Sequence, residues 1–278
     1  MKYSRVYIEL TNICNKSCSF CPKTKREPGR LSKEQFELIT DKLMGVTEYL
    51  YLHLMGEPLV HPELADFIKI ATAKGYKCAV TTNGTLLPRF GDALIDAGVY
   101  KVNISVHSFE DGTKGEAEEY LRECMEFADK ASASGVLTVL RLWNRGHDNG
   151  RNLDTEAALR AFFSDGEWVL GDRGARIRHK LHLEYGERFD WPDMEREPLG
   201  DEVFCYGLAD HFGILCDGSV VPCCLDKDAD ITLGNVFDSN IQDILFGERA
   251  VKIREGFRAK RACEELCRRC GYARRFKL

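Results

Sequence analysis

Three cysteines lie within eight residues near the start of the chain, and their spacing suits iron–sulfur chemistry. They are Cys14, Cys18 and Cys21, in the pattern C-x3-C-x2-C. Three thiolates in one short loop can hold three irons of a [4Fe–4S] cluster and leave the fourth iron free to bind a substrate or cofactor. Zinc, which prefers four protein ligands, and a fortuitous spacing are the alternatives. The next cysteine, Cys78, falls in an apolar run and is expected to pack in the core.

The elements that must position this loop alternate between short apolar runs and amphipathic segments. Such alternation is typical of βα units and a parallel sheet. We expect an α/β fold with a partial, open (β/α)6 barrel like a shortened TIM barrel over residues 1–185. Because the first strand ends near Leu10, the cysteine loop should lie at the edge of the sheet where barrels gather their active sites. The predicted strands are 5–10, 49–55, 76–82, 99–106, 136–143 and 180–185.

The overall composition is that of an ordinary soluble protein. A net charge of −5 with 30% charged residues gives no case for nucleic-acid binding. No stretch resembles a signal peptide or a membrane span, so we expect a cytoplasmic protein without a membrane partner. In a reducing compartment, clustered cysteines are better interpreted as metal ligands than as a disulfide framework.

Polar residues at successive strand ends extend the pattern of the first cysteine loop. With the aromatic residue that precedes its last cysteine, the loop resembles that of the radical S-adenosylmethionine (SAM) superfamily. The resemblance implies a [4Fe–4S] cluster with an open site and a bound SAM. It also implies SAM contacts after strands two to five. Together with the loop aromatic, these candidates are Phe20, Gly56, Glu57, Pro58, Thr82, Asn83, Ser105, His107, Arg141 and Asn144.

Each of these candidates has an ordinary structural alternative when it is taken alone. Glu57 could cap a helix, Ser105 could be a turn residue, and Arg141 could form a surface ion pair. Met55 also replaces the commoner first glycine of the family's glycine-glutamate motif. Their ordered occurrence after the cysteine loop is what supports the resemblance.

A second cysteine group suggests a small additional domain over residues 186–278, since seven of the twelve cysteines lie between 205 and 270. The group resembles the α+β twitch domain, a shortened relative of the SPASM domain, which holds one auxiliary [4Fe–4S] cluster. The ligands that this resemblance implies are Cys205, Cys223, Cys267 and Cys270.

Three further cysteines in this region could replace one of those ligands. Asp217-Gly218 predicts a two-residue hairpin turn, which would place Cys216 at its mouth and Cys223 about 13 Å along the returning strand. Alternation of side chains along that strand would turn Cys224 away from Cys223. Cys263 remains open as a ligand or a spare.

The resemblance implies an enzyme that cleaves SAM reductively to a 5′-deoxyadenosyl radical, which then abstracts a hydrogen atom from a substrate. We expect oxidation of a small molecule, with the auxiliary cluster accepting an electron and an external donor such as flavodoxin or ferredoxin. Modification of a peptide or protein by the same chemistry is an alternative, and a noncatalytic iron–sulfur electron carrier is another. A compact twitch dehydrogenase of this family has an arginine after strand six, which makes Arg188 a candidate for binding or deprotonating the substrate.

Overall fold

The computed structural model describes residues 2–110 and 112–276. In these residues, eleven strands join in a single sheet with the order β11-β10-β9-β1-β2-β3-β4-β5-β8-β7-β6. The strands are β1 (Arg5–Ile8), β2 (Tyr49–Tyr51), β3 (Lys77–Thr82), β4 (Lys101–Ile104), β5 (Leu137–Arg145), β6 (Val169–Gly171), β7 (Gly174–Arg178), β8 (Leu181–Glu187), β9 (His211–Ile214), β10 (Ser219–Val221) and β11 (Gly234–Asn235).

Six parallel strands, β1 to β5 and β8, form the expected partial barrel. The predicted strands are confirmed, although β2 ends at Tyr51 and is shorter than expected. The hairpin of β6 and β7 pairs antiparallel with β8 and was not predicted. Its first strand, β6, is exposed along its whole length, so its sequence carries no alternation of buried and exposed residues.

Helices cover the sheet and bury their apolar stripes against it. Ser32 begins the first of them with a capping box, in which the Gln35 side chain accepts from the Ser32 amide and the Ser32 hydroxyl accepts from the Gln35 amide. Phe36 of this helix stacks on Phe67 of the next at 4.5 Å between ring centroids, and both side chains are fully buried. The helices are α1 (Lys33–Lys42), α2 (Leu64–Ala73), α3 (Leu87–Asp96), α4 (Lys114–Ala133), α5 (Arg151–Phe162), α6 (Ile241–Phe246), α7 (Glu248–Arg258) and α8 (Glu265–Arg268).

The C-terminal segment extends the sheet of the barrel. Strand β9 pairs in parallel with β1, with Arg5 opposite His211, and β10 returns antiparallel to β9. Leu215 donates to the Ser219 carbonyl and Gly218, at φ +86°, donates to that of Leu215, so a three-residue loop joins β9 and β10. The predicted two-residue turn is therefore wrong, because Cys216 lies within the loop instead of at its mouth.

Within residues 2–110 and 112–276, no helix is both long enough and apolar enough to span a bilayer.

Candidate functional site

The loop after β1 brings the thiols of Cys14, Cys18 and Cys21 into one electrostatic environment. Burial raises the pKa of the Cys18 thiol to about 11, with Glu110, Cys21 and Cys14 contributing to the rise. Burial also raises the pKa of Cys14, with Cys21 again contributing. Repulsion between neighbouring thiolates is part of the cause, and bound iron would remove it. The donor set therefore fits a cluster at this position.

No three cysteine, histidine or carboxylate side chains of the described ranges converge on one point as ligands of a single metal ion. A four-iron cluster places each thiolate on a different iron, so it needs thiols around a larger volume. The three loop cysteines are suited to such a cluster, because their thiols are close enough to affect the pKa of one another.

The backbone at Gly56 packs against residues 11–13, which lead into the cysteine loop. Gly56 has φ +73°, and a Cβ there would lie 2.8 Å from the Ile13 carbonyl oxygen and still closer to that of Thr11. The next amide, that of Glu57, donates to the Ile13 carbonyl at 2.9 Å. Pro58 then begins a buried 3₁₀ turn. The glycine is needed because its backbone conformation and the close approach both exclude a side chain.

The Glu57 carboxylate acts as a cap in this structure. It accepts from the amides of Leu59 at 3.1 Å and Asn83 at 2.7 Å, and it is almost fully buried. Burial raises its pKa to about 7, partly offset by the hydrogen bonds to Asn83, Thr82 and Leu59. Glu57 thus joins the end of β2 to the end of β3.

Thr82 and Asn83 connect the end of β3 to the cysteine loop. Asn83 donates through its side-chain amide to the Asn15 side chain at 2.9 Å, and it accepts from the Thr85 amide at 3.0 Å. The Thr82 hydroxyl accepts from the Gly84 amide at 3.0 Å. Gly56, Glu57 and Asn83 therefore contact the loop directly, while Pro58 and Thr82 shape the turns to which these residues belong.

Substitution of Gly56 by alanine is expected to displace the cysteine loop, because the new methyl group overlaps the backbone of residues 11–13. We expect the variant to fold with a lowered midpoint of thermal unfolding and to bind less iron at the first triplet, while the C-terminal cysteines keep theirs. Iron analysis and electron paramagnetic resonance would measure this. Gly75→Ala, at a position with similar φ but open space around it, is the matched control. Equal iron binding by the two variants would contradict the expectation.

A cavity of about 530 Å³ lies on the concave side of the sheet. It brings together four of the predicted SAM contacts and the candidate substrate-binding arginine, which are Phe20, Ser105, His107, Arg141 and Arg188. Asn144 is not among the described lining residues, and its side chain accepts from Asn152 at 3.0 Å. The predicted polar residues at the strand ends therefore fall into two groups. Some line this cavity, and others support the cysteine loop.

His107 lies on the cavity wall and contacts both Phe20 of the cysteine loop and Arg141 of β5. Its ring packs against Phe20 at 5.1 Å, and its Nδ1 lies 3.0 Å from the Arg141 carbonyl oxygen. Burial lowers the pKa of His107. The Arg141 guanidinium stacks over Trp143 at 4.6 Å and pairs with Glu184 at 3.3 Å. The ion pair that was the structural alternative for Arg141 is present, but it is only partly exposed.

The predicted auxiliary ligands line the same cavity. Burial raises the pKa of the Cys223 thiol well above its ordinary value, and Cys224, Cys205, Cys267 and Cys270 raise it further. All five of these cysteines lie on the cavity wall. The structure thus brings together four thiols of the set expected for one auxiliary cluster, with Cys224 beside them.

The other candidate cysteines have different surroundings. Strand β10 ends at Val221, so alternation of strand side chains does not apply to Cys223 and Cys224, and the reason for turning Cys224 away is wrong. Cys263 donates to the Lys252 carbonyl at 3.5 Å and is not among the described lining residues. Cys216 is buried next to Gly29, close to the first loop.

Two residues that the motif search missed hold this region together. Glu9 is fully buried and pairs with Arg26, one terminal guanidinium nitrogen of which donates to both carboxylate oxygens at 2.6 and 2.8 Å. The carboxylate also faces the amides of Met55 and Cys216 at 3.3 Å. The available signal was a glutamate between the apolar residues Ile8 and Leu10 of the predicted first strand, since a buried carboxylate requires a partner.

Comparisons with known proteins agree with this geometry. The model of the radical SAM superfamily matches residues 8–162, which is more than half of the chain. The model of the SPASM iron–sulfur cluster-binding domain matches residues 205–271. The GTP 3′,8-cyclase of Chlorobaculum tepidum is 32% identical over 145 residues, which are 48% of this chain and 42% of the cyclase. The mycofactocin maturase MftC of Mycobacterium ulcerans is 27% identical over 80% of this chain and 66% of its own.

Solved structures give the same fold at low identity. BtrN in complex with AdoMet and 2-DOIA aligns with a TM-score of 0.63 and 17% identity over 97% of this chain and 94% of its own. Native anSMEcpe with bound AdoMet aligns with a TM-score of 0.61 and 14% identity over 96% of this chain and 89% of its own. The chain spans between 29% and 61% of the length of the first four curated relatives. The chain belongs to the radical SAM superfamily and carries a SPASM iron–sulfur cluster-binding domain, which confirms the resemblance and the expected cofactors, SAM and [4Fe–4S] clusters.

Proposed function

We propose that this enzyme oxidises a small molecule, using SAM to remove a hydrogen atom and the auxiliary cluster to accept the remaining electron. The observation that supports the proposal best is the shared cavity. Its wall contains both the polar strand ends of the barrel and the cysteines of the C-terminal segment. A substrate there would lie next to both groups of residues.

The first cluster and SAM, when bound and reduced, supply a 5′-deoxyadenosyl radical. Cys14, Cys18 and Cys21 would hold three irons of that cluster. We assign the SAM contacts of the cavity to Phe20, Ser105, His107 and Arg141, in addition to Gly56, Glu57, Pro58, Thr82, Asn83 and Asn144, which support the loop and its surroundings.

The chain's own residues orient the substrate and exclude water. Aromatic side chains make much of the cavity wall, among them Tyr7, Tyr51 and Trp143 from the barrel and Tyr272 and Phe276 from the C-terminal segment. A dry aromatic wall protects a reactive intermediate from side reactions. Arg188 lies on this wall with its guanidinium 3.5 Å from the Ser19 carbonyl oxygen, which supports a role in binding the substrate.

Cys205, Cys223, Cys267 and Cys270 would hold the auxiliary cluster with no open position. A cluster with four cysteine ligands can transfer electrons but offers no iron to a substrate. We also propose that the protein works in the cytoplasm and that an external donor such as flavodoxin or ferredoxin reduces it. We place the boundary between the barrel and the cluster-binding segment near residue 186.

Peptide modification is the second candidate. Its support is the maturase relative, which matches 80% of this chain, and the neighbouring structures solved with peptides. Peptide and small molecule share the same first step, so product analysis must separate them. Membership of an enzyme superfamily favours either over a noncatalytic electron carrier.

The proposal predicts that the anaerobically reconstituted protein binds about eight irons in two four-iron clusters. With a strong reductant and SAM, it should form 5′-deoxyadenosine and methionine. Iron analysis and liquid chromatography would measure both. Fully loaded protein that forms no 5′-deoxyadenosine would contradict the proposed activity, and a substrate found directly on the second cluster would contradict its role as an electron acceptor.

A further inference from the structure

A group of polar and aromatic side chains lines the cavity together with the predicted SAM contacts. Arg5 and Tyr7 of β1 lie on the cavity wall with Tyr51, His53 and His211. The Tyr7 ring lies 5.2 Å from that of Tyr51, and 5.6 Å from the rings of both His53 and His211. The Arg5 guanidinium lies 5.7 Å from the Tyr51 ring centroid. We call these five residues the Arg5 group.

Apart from the cysteines that would hold the auxiliary cluster, the charged side chains of the described cavity wall are positive. Arg5, Arg141 and Arg188 line the cavity, whereas its described lining residues include no aspartate or glutamate. The carboxylates that pair with two of these arginines, Asp210 at 2.7 Å and Glu184 at 3.3 Å, lie outside the wall. A ligand that enters the cavity therefore meets guanidinium groups and not their counterions.

The histidines of the cavity add hydrogen-bonding capacity without charge. Burial lowers the pKa of His53 to about 3 and also lowers that of His211, so both rings are neutral near pH 7. The Arg5 guanidinium donates to Asp210 through one terminal nitrogen. Its Nε is buried without a hydrogen-bond partner in the described part of the chain. Arg5 is thus the permanent positive charge of its group.

The position of Arg5 separates it from the expected site of SAM. Arg5 begins β1, about 17 Å along the strand direction from Leu10, which precedes the cysteine loop. It lies instead on the wall of the cavity that also contains the C-terminal cysteines, Cys223 and Cys224 among them. An anion at Arg5 would lie near the auxiliary site.

We propose that the Arg5 group binds an oxyanion of the substrate, a carboxylate or a phosphate, with the apolar part of the substrate against Tyr7 and Tyr51. This inference rests on the proposed function, because it names the class of substrate that the cavity takes. Arginine suits both oxyanions, since its planar guanidinium can donate two parallel hydrogen bonds. A substrate held in this way has its charged end towards the auxiliary site and its remaining atoms towards the cysteine loop.

Binding of small probes to the reconstituted enzyme, saturated with SAM, tests the proposal. The probes are phenylacetate, phenyl phosphate and phenethylamine, measured by isothermal titration calorimetry. We expect at least one anion to bind and the amine not to bind. Arg5→Gln should weaken anion binding at least tenfold and leave the dissociation constant of SAM unchanged. Preference for carboxylate or for phosphate identifies the oxyanion. Failure of both anions to bind, or equal binding of the amine, would overturn the proposal.

Asp210→Asn separates a binding role of Arg5 from a structural one. The amide keeps an oxygen for the Ser4 hydroxyl, which now donates to the carboxylate, but removes the charge that competes with a ligand for Arg5. We expect tighter anion binding in this variant and weaker binding in Arg5→Gln. If the ion pair were only structural, both variants would lose binding alike. Arg122→Gln, an exposed helix arginine paired with Glu126, is the control.

Failure of this inference differs from failure of the proposed function. Formation of 5′-deoxyadenosine by reduced enzyme without selective anion binding would reject the Arg5 group alone. If the wild-type enzyme formed no 5′-deoxyadenosine with both clusters and SAM bound, the proposed activity would be rejected.

Discussion

Cys18→Ala is expected to reduce the formation of 5′-deoxyadenosine to the level of the iron-free protein, whereas Cys267→Ala should retain part of it. Cys18 lies in the triplet without a fourth cysteine nearby, so its loss leaves two thiols for the first cluster. Cys267 lies with Cys205, Cys223 and Cys270 on the cavity wall. Its loss affects the site to which we assign electron acceptance, after SAM cleavage.

The iron content of three variants separates these roles. Cys18→Ala and Cys267→Ala should each retain about four of about eight irons, from the cluster left intact. Cys263→Ala is the matched control, because Cys263 occupies the first position of the same C-x3-C-x2-C spacing but does not appear on the described cavity wall. It should bind as much iron as the wild type. Loss of iron in this control would make Cys263 a ligand, and equal loss of SAM cleavage in the first two variants would remove the distinction.

The control reflects what spacing can and cannot predict. The two triplets have the same spacing, yet the Cys263 thiol donates to a carbonyl of α7 while Cys267 and Cys270 line the cavity. Which cysteines come together depends on the path of the chain between them. The strand after Asp217-Gly218 ends earlier than expected, and this placed Cys224 beside Cys223.

The parallel strands were predictable because each contains a short apolar run, although β1 and β2 alternate between buried and partly exposed positions. Strand β2 was predicted from the apolar run over residues 49–55, and its predicted end was four residues too late. The chain there leaves the sheet to hold Glu57 and the cysteine loop, and this is a tertiary effect. The parallel pairing of β9 with β1 had no local signal, since Val6 pairs with Phe212, which lies in the C-terminal segment and far away along the chain.

The predicted site residues have different roles for a similar reason. The motif residues lie at strand ends that meet at one edge of the sheet, but they do not all line the cavity. Glu57 caps the amides of Leu59 and Asn83, while Arg141 lies on the cavity wall. The residues of the Arg5 group were not recognised, because alternate positions inside a barrel carry no fixed motif. Their identities depend on the ligand and not on the fold.

The buried ion pair of Glu9 and Arg26 links the two cysteine sites. Arg26 lies five residues after Cys21, and its Nε donates to the Lys227 carbonyl at 2.9 Å, three residues after Cys224. The adjacent residues reinforce this contact, since the Thr24 hydroxyl and the Lys25 amide both donate to Asp228 at 2.7 Å. The Glu9 carboxylate therefore holds Arg26 in place, and with it the contact of residues 24–26 with residues 227 and 228 of the C-terminal segment.

Arg26→Met is expected to destabilise the protein by about 3–5 kcal/mol, because it leaves the fully buried Glu9 carboxylate without its counterion. The midpoint of thermal unfolding should fall, and both clusters should lose iron, since the variant loosens the contact between residues 24–26 and 227–228. Unfolding curves and iron analysis of the reconstituted protein measure the two effects. Arg122→Met, which breaks an exposed pair on α4, should change neither.

A second substitution shows whether the unpaired charge is the cause. Glu9→Gln in the Arg26→Met background removes the buried charge and keeps an oxygen for one of the two amides, since Met55 and Cys216 donate to different oxygens of Glu9. We expect the double variant to regain about half of the lost stability, because burying an isolated charge costs more than losing a neutral hydrogen bond. If the double variant were no more stable than Arg26→Met, the cost would come from lost packing of the arginine. Recovery of stability without recovery of iron at either triplet would show that the Arg26 contact to Lys227, and not the charge of Glu9, sets the position of the cysteine loops.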